Sequence, residues 1–326
     1  MTTNTVAKLV NVVCAIVVAG WALAVSAQQP YPSRPVRIVV GFQAGGGVDI
    51  SARAIGKELT EALGQSVIVD NRPGASGNIA AELVSKAPPD GYSLLMSNST
   101  IAIPSLFAKL PFDVNKDLQA LSLIAIGPSA LVVQPSFPVT TVKDVVALAK
   151  AKPKHLIFGS GGPGNITHLE MELLMNMAGI DMIHVPYKGG APSVVGLLSG
   201  EVQTLFTSIP SVLQQVNAGK LKAIGVSTAR RHASMPNVPT ISESGVPGYD
   251  AASWYGLFVP AGTSREAMAV LSREIVKVMR VQSVRDRFSS DGFDPVGNSP
   301  EEFTKFVREE IPKWAKVVKA QNIKGD

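Results

Sequence analysis

Two rhythms alternate along the chain. Val36, Ile38, Val39 and Val40 make a short β-branched run, Gly41 to Gly47 hold four glycines, and Ile55, Leu59 and Leu63 then recur at every fourth position ahead of Gly64. The pattern predicts a strand, a glycine loop and an amphipathic helix that Asp49 opens and a left-handed glycine closes. Ser66 to Val69 predicts a second strand, Asn71 to Gly77 a glycine-bearing loop, and the residues to about Val84 a helix. Pro88 to Gly91 is a turn, and Tyr92 to Met96 a third strand that runs into Ser97, Asn98, Ser99 and Thr100. Strands alternating with helices imply right-handed crossovers and a parallel sheet, with all the loops after strands on one edge.

From His155 the same order returns. Leu156 to Phe158 predicts a strand, Gly159 to Gly164 a glycine loop, Asn165 the N-cap of a helix that runs to Ala178 before Gly179, and Met182 to Val185 the next strand. Tyr187 to Ala191 form a second glycine-containing loop, a helix follows near Ser193 to Leu198, and a strand at Val202 to Phe206 ends in Thr207 and Ser208. The repeat is one of topology more than of sequence. Two such lobes can face one another, and open α/β sheets bind ligands beyond the carboxyl ends of their strands. Both glycine loops would then address one cleft, with unpaired N–H groups of helix first turns aimed at an anion.

The connections fit this arrangement. Leu121 to Val133 crosses from the first lobe to the second with Gly127-Pro128 interrupting it, Thr141 and Asp144 can begin a helix that ends before Pro153, and Lys220 to Val226 predicts a strand. Pro236 to Pro247 reads as a loop and Ala251 to Val259 as a strand returning to the first lobe. Thr263 with Glu266, and Ser299 with Glu302, have capping-box spacing; Phe303, Phe306 and Val307 are expected in the core.

Composition narrows the chemistry. The first 27 of 326 residues have Lys8 as their one charge, an apolar run from Leu9 to Ala24 and Val25-Ser26-Ala27, the pattern of an export signal cleaved after Ala27; a retained anchor is the rival reading. Cys14, the one cysteine, falls inside that run, so the mature chain would hold no disulfide, thiol nucleophile or cysteine-bound metal. Without Lys8 the formal charge falls from +5 to +4, spread without a Lys/Arg block, which favours small anions and gives no footprint for nucleic acid.

Candidate reactive groups are sparse. Gly41 to Gly47 lacks both the Walker Lys-Ser/Thr pair and the dinucleotide glycine spacing. Gly159-Ser160-Gly161-Gly162 lacks the spacing of a nucleophile elbow, and His155, His168, His184 and His232 have no partners at metal-ligand spacing. Asp49 can orient a substrate amine or hydroxyl, or serve the helix start; Tyr187 and Lys188 can line the cleft; Trp254 and Tyr255 can be cleft walls or hinge packing.

The stretches YPSRPVRIVVGFQAGGGVDISAR, DNRPGASGNIAAELV, PDGYSLLMSNS, LPFDVNKDL, GGPGNITHLEMELL, VPYKGGAPSV, GYDAASWYGLFVPAGT and SPEEFTKFVREEIPKW together resemble the Bug, or TctC, family of periplasmic receptors for tripartite tricarboxylate transporters. The resemblance implies an α/β fold, a two-lobed, type II-like Venus flytrap, with residues 28–126 and 250–326 as one lobe, 127–249 as the other, and the ligand cleft between them. It implies a non-enzymatic monomer, without cofactor or metal, that captures a small organic carboxylate and delivers it to transporter membrane subunits. A ligand-presenting co-sensor and a secreted hydrolase are the alternatives. The implied ligand-binding residues are Phe42, Ala44, Gly46, Gly47, Asp49, Ser97, Gly162, Gly164 and Asn165, with Tyr187 and Thr207. Two departures stand out: Pro163 removes a backbone donor from the second loop, and Thr207 follows Phe206 where relatives often carry Asp or Asn, which would deprive a cationic ligand group of a carboxylate partner.

Overall fold

The computed structural model describes residues 30–103 and 110–320; the expected export signal lies outside them. The first sheet has six strands in the order β11-β4-β10-β3-β1-β2: β1 (Val36–Val40), β2 (Val67–Asn71), β3 (Ser93–Asn98), β4 (Leu118–Gly127), β10 (Ser253–Pro260) and β11 (Asp294–Pro295). The second has five in the order β7-β6-β8-β5-β9: β5 (Ser129–Val133), β6 (Ile157–Ser160), β7 (Ile183–Pro186), β8 (Thr204–Ser208) and β9 (Lys222–Val226). In each sheet the first strand of a repeat lies between the second and third, all parallel. An antiparallel strand from elsewhere in the chain, β10 or β5, then pairs with the third. The duplication is therefore complete at the level of strand order. The expected purely parallel sheet is corrected to a mixed one, because the crossing strands β5 and β10 return in the opposite direction.

The helices follow the apolar rhythm. Helix α1 (Gly47–Leu63) packs Ile55 and Leu59 inward and ends at Gly64 with φ 63°. It starts two residues before Asp49, which lies within its first turn. Helices α2 (Asn78–Ser85), α3 (Val142–Ala151), α4 (Ile166–Ala178), α5 (Gly190–Ser199) and α6 (Ile209–Asn217) complete the repeats and their connections. Thr141 and Asp144 form a capping box at α3, and the Asn165 side chain accepts from Thr167 N–H at α4. Helix α7 (Arg265–Met279) is capped by Ser264, whose side chain accepts from Ala267 N–H; the expected cap, Thr263, instead donates to Pro260 O. Helix α8 (Gln282–Ser290) leads to α9 (Pro300–Ala320), where Ser299 and Glu302 exchange the expected pair of bonds.

Strand alternation divides the second lobe's core between the two faces of its sheet. Leu131, Val133 and Phe206 pack with α3 and α4, while Ala130, Val132 and Leu205 pack with α5 and α6. In the first lobe Val39, Leu95, Trp254, Phe258, Phe303 and Val307 share one cluster. Helix α9 spans both: Phe303 and Val307 join the first lobe's core, Trp314 the second's, and Glu310 Oε2 accepts from the indole N–H groups of Trp254 and Trp314 at 3.1 and 2.9 Å.

Candidate functional site

From Arg34 onward the chain forms one compact unit, and within it the carboxyl ends of both sheets meet. Around a small inner cavity stand four helix starts: Gly46 and Gly47 of α1, Asn165 and Ile166 of α4, Gly190 of α5, and Ser208, the N-cap of α6. At α1, α5 and α6 no side chain caps the helix, although in α6 Ile209 N–H is already given to Pro128 O and Pro210 has none. First-turn N–H groups that are not met by a cap are available to a ligand. Among the residues lining this cavity none carries a charge. Attraction for an anion here would come from converging helix dipoles and from the hydroxyl and amide groups of Ser129, Thr207, Asn98 and Tyr255.

The cavity offers about 30 Å³ to the centre of a water-sized sphere, space for about two waters. Phe42 and Gly161 line it and also line an outer chamber of about 350 Å³, walled by Gly74 to Ser76, Gly162, Pro163, Tyr187 and Lys188. The lobes touch around both. Ser76 Oγ donates to Pro163 O, and Ile166 N–H donates to Thr100 Oγ1 at 3.2 Å. A Cβ on Gly47 would stand 2.5 Å from Tyr255 OH and 2.7 Å from Ser208 Oγ, so only glycine lets α1 approach this closely. On Gly46 the nearest atoms, including Gly190 N, would be 3.7 Å away, an ordinary contact.

Of the residues expected to bind, the structure brings Phe42, Gly46, Gly47, Asn165 and Thr207 to the inner cavity and Gly162 and Tyr187 to the outer chamber. Ala44, Asp49, Ser97 and Gly164 line neither. Ala44 is exposed. Asp49 braces that loop: Oδ2 accepts from Gly45 N–H at 2.9 Å and Arg53 Nε at 3.0 Å, and Oδ1 from Asn71 Nδ2 at 3.0 Å. Burial raises its carboxyl, but these bonds outweigh it and hold the group below its ordinary range. Gly164 N–H is turned back to His168 Nδ1 at 3.2 Å. Ser97 gives place to its neighbour Asn98, since successive strand residues face opposite sides. The same alternation settles the tryptophan and tyrosine: Tyr255 faces the cavity, whereas Trp254 is buried in the first lobe's core. The Tyr187 ring packs against Gly196, and burial and neighbouring Glu201 push its phenol up to about 12.

A serine and a histidine do meet in this lobe. Ser160 Oγ lies 2.7 Å from His184 Nε2. His184 stacks on Phe158 and His168, at 4.8 and 4.0 Å between ring centres, and burial, with neighbouring His168 adding to it, pushes it down to about 3. Ser160 is fully buried and lines neither cavity. Such an imidazole is a poor proton acceptor at neutral pH, and the pair serves to hold the second glycine loop, whose Gly162 N–H donates to Ser160 Oγ at 3.1 Å.

Reading the sequence did not find Ser129, Gly190, Ser208, Ser253 or the contact of Thr100. The polar residues at the ends of the repeat strands were the signal for Ser208 and Thr100; Ser129 and Ser253 enter through the crossing strands and carry no local motif.

Known proteins show the same architecture. BugT of Bordetella pertussis is 34% identical over 312 residues, with 95% of each chain covered. The solved structure of R. palustris Rpa4515 with adipate superposes with a TM-score of 0.88 at 36% identity, covering 90% of this chain and 99% of that one. MatC from Rhodopseudomonas palustris, with bound malate, gives 0.82 at 30% identity, covering 88% and 100%. Residues 51–323 match the family described as the tripartite tricarboxylate transporter family receptor, TctC. By that match over most of its length, and by identities above 30% across the whole two-lobed fold, the chain belongs to the TctC receptor family.

Proposed function

We propose that this receptor is a periplasmic, monomeric, non-enzymatic binding protein that captures a small organic carboxylate between residues 28–126 with 250–326 and residues 127–249. It then passes the carboxylate to the membrane subunits of a tripartite tricarboxylate-type transporter. The observation that carries this is the convergence of four helix starts, those of α1 and α5 without any side-chain cap, on a cavity with no charged lining residue. Dipoles and N–H groups without a fixed counter-charge suit an anion that must be released again. One carboxylate would meet Gly46, Gly47, Asn165 and Thr207. The rest of the molecule, too large for the inner cavity, would pass Phe42 towards the outer chamber and Lys188. The carboxylates named with Rpa4515 and MatC support this ligand class.

Export through the first 27 residues and the receptor family support a periplasmic location; among the described residues no helix is long and apolar enough to cross a membrane. Against hydrolysis stand the buried Ser160 and the depressed His184. A closed state would have to present a surface the open one lacks, the condition for a membrane partner to sense occupancy. Native mass spectrometry of gently purified protein, followed by incubation with pooled organic acids, tests the reading. A copurifying carboxylate that is recovered unchanged supports it; turnover of any acid overturns it.

A further inference from the structure

Helix α4 carries a glutamate where its core-facing stripe should be apolar. Ile166, Glu170 and Leu174 are spaced by four residues, and all three are fully or almost fully buried. Ile166 and Thr167 line the inner cavity, so Glu170 stands one turn deeper on the same side. Neither of its carboxyl oxygens has a hydrogen-bond partner among the described residues. Ser129, which lines the cavity, lies close enough for its hydroxyl to influence that carboxyl, yet outside hydrogen-bond geometry, and its Oγ is itself buried and unpartnered. Thr207, also on the cavity wall, belongs to the opposite face of the sheet, against the start of α5. The phenols of Tyr249 and Tyr255 are within electrostatic reach of the carboxyl, and the Tyr249 hydroxyl donates to the backbone oxygen of Glu170 at 2.9 Å.

Buried polar atoms are ordinarily paired, and leaving them bare is costly. Those of Ser129 and Glu170, on the α4 face of the second sheet beside the cavity, mark where a guest's polar group belongs. We infer that Ser129, with Glu170 behind it, reads a hydrogen-bond donor on the ligand, so that the receptor selects a small carboxylate bearing a hydroxyl or ammonium group next to the bound carboxylate over its donor-free counterpart. This rests on the carboxylate reading above and deepens it. A hydroxyl guest would donate to Ser129 and leave the Glu170 proton in place. An ammonium guest would make Glu170 an anion, its proton passing to the buffer.

Length-matched triads test this by calorimetry: succinate, malate and aspartate; adipate, 2-hydroxyadipate and 2-aminoadipate. At least one donor-bearing member of a triad is expected to bind about ten-fold or more tighter than its donor-free partner, the scale of one satisfied buried hydrogen bond. Ser129→Ala should bring that ratio to within about three-fold. Repeating the titrations in buffers of different ionisation enthalpy separates the two donors. With an amino guest the wild type should release close to one proton at pH 7 and Glu170→Gln none; with a hydroxy guest neither should. A floor that water simply fills predicts equal affinity within each triad, or a ratio unchanged in Ser129→Ala, and either result overturns the inference while the carboxylate reading stands. Binding of none of the six overturns both.

Discussion

Replacing Glu170 with glutamine should make the protein more stable, and increasingly so as the pH rises. Burial pushes the Glu170 carboxyl up to about 8 from an ordinary 4.5, with Ser129 pulling it back only in part. The sign follows from proton counting. Below pH 4.5 the group is protonated in both folded and unfolded chains and contributes nothing to the pH dependence. Between 4.5 and about 8 the folded chain holds a proton that the unfolded chain has lost, so folding takes one up, and stability falls by about 1.4 kcal/mol for each pH unit. At pH 7 the accumulated cost is of order 3 kcal/mol, a sizeable share of the 5–15 kcal/mol that is typical of a folded domain. Above about pH 8 both states are ionised and the loss levels off. Glutamine keeps the shape and cannot ionise, which removes this cost. Urea unfolding at pH 5, 6, 7 and 8 should show the variant's advantage widening by roughly 1 kcal/mol per unit. Parallel stability curves, with a gap that does not change with pH, would refute the claim that this carboxyl is neutral in the folded protein.

Other consequences are as direct. Gly47→Ala places a methyl group 2.5 Å from Tyr255 OH and 2.7 Å from Ser208 Oγ. Overpacking of about 1–3 kcal/mol should weaken carboxylate binding by roughly five- to 150-fold in calorimetry, while Gly46→Ala, with 3.7 Å of clearance, stays within about three-fold; equal losses would count against the closed geometry. Glu310→Ala leaves the buried Trp254 and Trp314 indole N–H groups without their shared acceptor and should cost about 2–5 kcal/mol in denaturant unfolding; a loss below 0.5 kcal/mol would show that α9 is not fastened there. Asp49→Asn weakens the bracing of Gly45 and Arg53 and should cost about 1–2 kcal/mol at pH 7, a difference that shrinks as the pH drops through the depressed carboxylate range. A gap that does not narrow on acidification would mean the aspartate charge is not what braces the loop.

Local rules carried the reading of the fold far. Glycine after α1 and α4, Asn165 before α4 and the Thr141–Asp144 pair each ended or began a helix where expected, since each satisfies helix-end groups within a few residues of chain. What needs two distant segments was not legible. Strands β5 and β10 run antiparallel to their neighbours, and this is a property of how the chain crosses between lobes. The choice between Ser97 and Asn98, or Trp254 and Tyr255, is one residue of strand register, and a single sequence with polar or aromatic neighbours on both sides does not fix it. Asp49 follows a glycine loop in the manner of a ligand residue, yet Arg53 and Asn71 occupy it, and Asn71 arrives from the end of β2. Glu170 did leave a trace, its four-residue spacing from Ile166 and Leu174. In His168-Leu169-Glu170-Met171-Glu172, however, two acids two residues apart look like the solvated side of a helix.

The account turns on helix starts holding a negative charge that no cation in the inner cavity balances. A calorimetric titration of the purified chain with adipate and with its neutral diamide, adipamide, puts that to the test at constant size and shape. Saturable binding of adipate, at least about a hundred-fold tighter than adipamide, is the predicted result; equal affinity for the two would contradict it.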